Sequence, residues 1–475
     1  MRNLLYYLSV LLIITSCTKS SNDTDSIADT SADIWLTTGD SLTILSKVAT
    51  LPFQDSGKAS ENIIQIDEKQ TFQTILGFGA SMTGSSAHVL TKNIGEAKRQ
   101  EVMNSLFSKE KGIGLSYMRM TIGASDFSSH NYSYNDPPGG KFDANLEAFS
   151  INEDKDDVIP RIKEAFVINN DMALMASPWS APAFMKTTGN MIKGKLRPEA
   201  QPVLANYFVK FIKAFEQEGI PIQSITIQNE PEFEPSGYPG MLMTAEEQRD
   251  FIKNHLGPTF KNNNISSRIV IYDHNWDHPN YPLTILSDPK AKQYVDGSAF
   301  HCYGGDVNSQ TLVHNTHPDK NLYFTECSGG TWSGSWRDNL MWNFKNLIIG
   351  NLRNWQICVL LWNIALDEKY GPLNGGCPTC RGIVTVRTDG VVEQNIEYYT
   401  LGHVSKFVRK GAKRIFSTDL TASKLNNVAF INPDGSKALI VMNENEKPRS
   451  ITLQTNKGKL QYDIPAYAVI TVAWK

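Results

Sequence analysis

The chain has 475 residues, 41% of them hydrophobic and 20% charged. This is ordinary globular usage, and it excludes a mostly disordered, collagen-like or coiled-coil chain. The 46 Lys and Arg against 49 Asp and Glu give a formal net charge of −3, too weak a field to recruit nucleic acid or anionic lipid.

In chain order, the first feature is a targeting segment over residues 1–16. Arg2 is a short basic start, and residues 4–14 are a charge-free apolar run too short to span a bilayer. The run ends in Ile14-Thr15-Ser16-Cys17, which resembles a bacterial lipobox. The signal would be cut before Cys17 and its thiol lipidated. The expected location is a lipid-anchored bacterial cell envelope, with that lipid as the sole membrane contact. Residues 17–33 are polar and low in aromatics and read as a flexible tether.

From residue 71 to 410 one theme repeats: a short β-rich run, a polar turn, then a helical stretch. The runs fall at 75–80, 115–121, 172–177, 222–228, 268–272, 297–301, 321–325 and 355–362. Helices are expected at 85–108, 155–169, 198–218, 244–256, 282–288, 337–352 and 394–409. Eight units of this kind predict an α/β fold, a (β/α)8 TIM barrel. A doubly wound sheet would want a glycine-rich phosphate turn after its first strand, and Gly77-Phe78-Gly79 continues wrongly for one. Residues 34–70 and 411–475 instead show short alternating runs. Turn sequences such as Asn432-Pro433-Asp434-Gly435 and Asn456-Lys457-Gly458 separate the C-terminal runs. Both chain ends should join in one accessory β-sandwich.

Beyond Cys17 the cysteines are Cys302, Cys327, Cys358, Cys377 and Cys380. Cys377-Pro378-Thr379-Cys380 lies in loop sequence, without the strand and helix of a thioredoxin-like site and without two further zinc ligands. It reads as a local disulfide in an oxidising compartment. The other three sit in apolar runs and read as core thiols.

Chemistry in such a barrel sits at the C-terminal strand ends. Two glutamates end apolar runs there: Glu230, in Gln228-Asn229-Glu230-Pro231 after strand 4, and Glu326, in Phe324-Thr325-Glu326-Cys327 after strand 7. A charge at the end of an apolar run is costly unless it is used or paired.

Asn229-Glu230-Pro231 together with Glu326 resembles the retaining barrel glycosidases. Further segments narrow this: residues 77–83, 117–127 and 176–182, the last reading Ala176-Ser177-Pro178-Trp179-Ser180-Ala181-Pro182. They are similar to glycoside hydrolase family 30, which includes glucosylceramidases, endo-β-1,6-glucanases and xylan-cleaving enzymes. The resemblance runs from about residue 70 to the C-terminus. It implies Glu326 as nucleophile and Glu230 as acid/base, their carboxyl groups about 5–5.5 Å apart. Glu230 is expected to have a raised pKa. Asn229 would bond the sugar 2-hydroxyl, Arg119 would orient Glu326, and Asp126, Trp179 and Asn363 would hold the sugar. Tyr303 could donate to the nucleophile. Trp332 could stack on the sugar, and Trp276 is a candidate subsite platform.

His274, His278 and His301 raise a metal reading, but the expected chemistry requires neither metal nor cofactor. The substrate expected is a polysaccharide or oligosaccharide, most specifically a β-1,6-glucan cut internally by a monomeric enzyme. A glucosylceramidase-like or exo-acting β-glucosidase is the alternative. A non-catalytic glycan-binding surface lipoprotein is a rival of another class, and the presence of both glutamates speaks against it.

Overall fold

A computed structural model describes residues 30–55 and 59–475. The readings on residues 1–16 and on Cys17 lie outside the described residues. Chain order begins with β1 (Ser31–Thr38), β2 (Ser46–Pro52) and β3 (Asn62–Thr74). Next come β4 (Gly77–Met82), β5 (Tyr117–Thr121), β6 (Ala173–Ser177), β7 (Ser224–Thr226), β8 (Arg268–Asn275), β9 (Val295–His301) and β10 (Asn321–Glu326). After the two-residue β11 (Gly329–Gly330) comes β12 (Gln356–Asn363). Four short strands follow: β13 (Ala365–Leu366), β14 (Cys380–Arg381), β15 (Val384–Val386) and β16 (Val392–Gln394). The chain closes with β17 (Lys413–Ser417), β18 (Leu425–Ile431), β19 (Lys437–Asn443), β20 (Arg449–Thr455), β21 (Gly458–Ile464) and β22 (Ala468–Trp474).

Strands β4 to β10 and β12 close a parallel barrel in the order β10-β12-β4-β5-β6-β7-β8-β9. This is the expected (β/α)8 architecture. The helices fall close to their predicted spans, except that the run at 85–108 is two helices, Gly84–Lys92 and Glu96–Phe107. The break falls at Asn93-Ile94-Gly95, where glycine interrupts the helical run. The helix after β7 opens with a capping box between Thr244 and Glu247, which satisfies two terminal N–H groups reciprocally. Close strand approach requires Gly79, because a Cβ there would lie 1.8 Å from the Tyr117 carbonyl oxygen.

The remaining long strands form a sheet ordered β2-β1-β22-β19-β18-β17-β3-β20-β21. The long β3 links its two parts, pairing with β20 through residues 62–65 and with β17 through residues 66–74. One face encloses Ile34, Leu439, Ile470, Ile451 and Leu453. The other packs Val428, Phe430, Ile440 and Val469 against the barrel. Burial on both faces explains why β19 and β22 are largely apolar runs rather than alternating ones. β1 begins at Ser31, inside the stretch read as tether, because Ala32 and Ile34 enter the sandwich core.

Candidate active site

Residues two apart on a strand share a face. On β5 this turns Tyr117 and Arg119 into the barrel, while Met118 and Met120 enter the outer core. The same alternation turns Thr226, His301 and Thr325 inward at the C-terminal end, where they meet Asp273. Asp273 lies where β8 slips register between Tyr272 and His274. It bonds Arg119 at 2.8 Å, Thr226 and Thr325 at 2.6 Å, Ser177 at 2.9 Å and His301 Nε2 at 3.0 Å. Burial pushes the Asp273 carboxyl up, but the charge of Arg119 and the bond and charge of His301 outweigh it and hold it far below the usual range.

Arg119 is the hub of the site. It is fully buried and donates to Glu326 Oε2 at 2.5 Å, Asn229 Oδ1 at 2.7 Å and Asp273. Its guanidinium lies 4.9 Å from the Trp179 ring centre and 5.5 Å from that of Trp362, a cation–π arrangement. Tyr303 donates its hydroxyl to Glu326 Oε1 at 3.0 Å. Glu230 has a φ of 47°, a left-handed conformation that costs about 1–3 kcal/mol and concentrates at functional sites. Its N–H is held by the Asp273 carbonyl at 2.9 Å, and its Oε1 lies 3.3 Å from His301 Nδ1.

One ligand-capable atom each from Glu230, His301 and Glu326 all lie within 4.8 Å of one another. The two carboxylates therefore approach as in retaining glycosidases, well inside the roughly 6.5–9.5 Å of inverting ones. The triple has the composition of a metal site, but His301 already supplies a positive charge there. Burial lowers the His301 pKa, yet the charge of Glu326 and the bonds to Asp273 and Glu230 raise it to about 9. His274 and His278 instead meet on Glu232, at 4.0 and 2.8 Å.

The pKa expected of Glu230 is corrected. Burial pushes it up, but the bond and charge of His301 prevail and hold its carboxyl below the usual value. Burial pushes Glu326 up, against the charges of His301 and Arg119. Arg119 and His301 face the carboxylates of Asp273, Glu230 and Glu326, so one added proton neutralises the set. Asp126 stands apart: burial and then repulsion from Glu326 and Glu230 push its carboxyl well above the usual range.

Around these groups lies a pocket of about 480 Å³. Asp126, Trp179, Asn229, Glu230, Tyr303, Glu326 and Trp332 all line it, as the sequence led us to expect. Three expected residues do not: Arg119, fully buried where it holds Glu326, and Trp276 and Asn363. Trp276 is buried and stacks on Phe324 with ring centres 5.6 Å apart, so it supports β10 and offers no platform. Asn363 is buried and accepts from Thr83 at 2.7 Å; its neighbour Trp362 lines the pocket and stacks on Trp179. Alternation across β12 sends the two residues to different surroundings.

Sequence reading missed Asp273, whose signal was the same one that marked Glu326: an acid ending an apolar run. It also missed Tyr238 and Phe127 in the pocket wall, which come from loops without a periodic pattern. Cys377 and Cys380 are bonded as expected and line the pocket. The reading of Cys302 and Cys327 as core thiols is overturned, since they form a disulfide; among the described residues Cys358 is the free thiol, and it is buried. They follow adjacent barrel strands, which brings their Cα atoms to 5.4 Å.

A parallel eight-stranded barrel with two closely opposed carboxylates at the strand ends, beside an aromatic-lined pocket, is the architecture of a retaining glycoside hydrolase. The chain belongs to glycosyl hydrolase family 30: the family's TIM-barrel domain matches residues 75–408 and its beta sandwich domain residues 411–472. It is 32% identical to endo-1,6-beta-D-glucanase neg1 of Aspergillus fumigatus, over 90% of this chain and 91% of that one. It is 30% identical to the lysosomal acid glucosylceramidase of Mus musculus, over 87% and 83%. Among solved structures, the endo-beta1,6-glucanase BT3312 superimposes with a TM-score of 0.87 at 35% identity, covering 94% of this chain and 99% of that one.

Proposed function

We propose that this glycoside hydrolase is an endo-β-1,6-glucanase working by double displacement, with Glu326 as nucleophile and Glu230 as acid/base. The observation that carries the chemistry is the approach of Glu230, His301 and Glu326 to within 4.8 Å of one another. The likeness to proteins named endo-β-1,6-glucanase supports the substrate.

Arg119 and Tyr303 orient Glu326, so that one carboxylate oxygen can attack the anomeric carbon. His301 Nδ1 lies 3.3 Å from Glu230 and can pass it a proton, remaining neutral with Nε2–H bonded to Asp273. Glu230 then gives that proton to the glycosidic oxygen as the C–O bond breaks and the Glu326 ester forms. In the second half, Glu230 takes a proton from water as the hydroxide attacks the anomeric carbon and releases Glu326. Asp126, whose carboxyl is pushed up by burial and by the two glutamates, lines the pocket where it can bond a hydroxyl of the bound sugar. Trp179 and Trp362, stacked on each other, present apolar surface to the sugar in the pocket wall.

The test is product analysis on a β-1,6-glucan, a β-1,3-glucan, a xylan and an aryl β-glucoside. Oligosaccharides released from the β-1,6-glucan alone, with the β-anomer formed first in proton NMR, support the reading. Monosaccharide release only, or faster cleavage of a glucosyl lipid in detergent, overturns it. We further propose that Cys17 anchors the enzyme in a bacterial cell envelope, on the strength of the Ile14-Thr15-Ser16-Cys17 sequence. A Cys17→Ala protein that still fractionates with membranes would refute this.

A further inference from the structure

Beside the catalytic pocket lies a second cavity of about 450 Å³, within the size range of ligand sites. Tyr303, Ser328 and Trp332 line both, so the two hollows are immediate neighbours. Its far side is the helix Trp336–Trp342, where Asp338, Asn339 and Trp342 share one face by their three- and four-residue spacing. Three large aromatics stay open to solvent here: Tyr303 at 47%, Trp332 at 59% and Trp342 at 41% exposure. Leaving such surface wet is unfavourable, and exposed apolar patches in a groove mark binding sites.

The platform is held rigidly. β11 pairs with β14, Thr331 N–H donates to the Thr379 carbonyl, and Arg381 bonds both the Gly330 carbonyl and Glu397. A Cβ at Gly330 would lie 1.9 Å from the Trp332 ring, so only glycine lets the indole lie back over the chain here. Flat aromatic faces beside a carboxylate and amides match the chemistry of a pyranose, with an apolar face and hydroxyl edges. Trp179 and Trp362 occupy the buried floor of the catalytic pocket, whereas Tyr303 and Trp332 stand at its mouth.

We infer that this second cavity is a distal sugar site, which holds glucosyl units of the leaving-group arm of the glucan between Trp332 and Trp342. The inference rests on the glucanase reading. The enzyme therefore gains affinity with chain length through contacts remote from the bond cleaved.

The test uses the full-length protein carrying Glu326→Gln and titrates β-1,6-linked glucooligosaccharides of two to five units by calorimetry. Affinity should rise with length. Trp342→Ala should reduce the gain from disaccharide to pentasaccharide about tenfold, and Asn339→Trp, which fills the cavity, should do the same. Circular dichroism and Tm establish that each variant is folded. A full gain in both folded variants, or an equal loss of disaccharide affinity, overturns the inference. If the active protein cleaves a different β-glucan, the glucanase reading fails separately. The same length series on that glucan then decides the distal site by the same criterion.

Discussion

Cys302 and Cys327 are joined by a disulfide, and each directly follows a residue of the catalytic cluster: Cys302 follows His301, and Cys327 follows Glu326. The β9–β10 ladder slips register between Phe324 and Glu326 and ends at the Glu326–His301 pair. The crosslink fastens the two strand ends where backbone pairing stops. Closing a loop with a sequence separation of 25 also stabilises the fold, by about 3 kcal/mol in the chain-entropy account.

Serines at both positions should therefore leave a folded enzyme whose kcat falls about tenfold with KM changed less, since small misplacement of reacting groups is costly. Steady-state kinetics beside a thermal melt check this. Full kcat with only a lowered Tm would confine the disulfide to stability.

Glu326→Gln should abolish turnover while the protein stays folded. Loss of a nucleophile costs roughly 10³-fold or more in rate. Glu230→Ala should retain its first step on an aryl glucoside with a good leaving group, because such a group departs without a proton. Added azide should speed the second step and yield a β-glucosyl azide. Substantial polymer cleavage by pure Glu326→Gln protein would refute the assignment.

His301 holds the Glu230 carboxyl below its usual value by hydrogen bond and charge. The proton that Glu230 delivers rests on His301 and is shared by the pair, so kcat/KM should fall as pH rises through the His301 pKa of about 9. His301→Gln removes that proton store and leaves Glu230 to hold the proton alone, so the limb should move to lower pH by about one unit or more. A pH profile of both proteins decides it, and an unmoved limb would show that another group governs the acid step.

Asp154 supports the loop that carries Asp126. It accepts from Tyr132 at 2.7 Å and Tyr134 at 2.5 Å, and burial raises its pKa from 3.8 to about 7. The folded state holds this proton more tightly than the unfolded chain. Its contribution is full below about pH 4 and is lost as pH rises through 7, at about 1 kcal/mol per pH unit. Asp154→Asn cannot ionise, so the Tm of wild type relative to the variant should fall between pH 4 and 7. A constant difference across that range would contradict the assignment.

The eight β-runs were legible because each is a short apolar segment bounded by turns, and a barrel is built from local units of that kind. Glu230 and Glu326 were legible for a related reason: a carboxylate closing a buried strand stands out against its apolar neighbours. Arg119 and Tyr303 followed once those strand ends were known to converge. Tertiary structure alone decided what depends on distances between strands. The disulfide of Cys302 and Cys327 exists because barrel closure sets β9 beside β10. The low pKa of Glu230 comes from His301, 71 residues away in sequence. Trp276 and Trp332 look alike as loop tryptophans, yet one is sealed against Phe324 and the other is open to solvent. Side-chain exposure and charge coupling fall steeply with distance through space, and those distances are set only when the barrel closes.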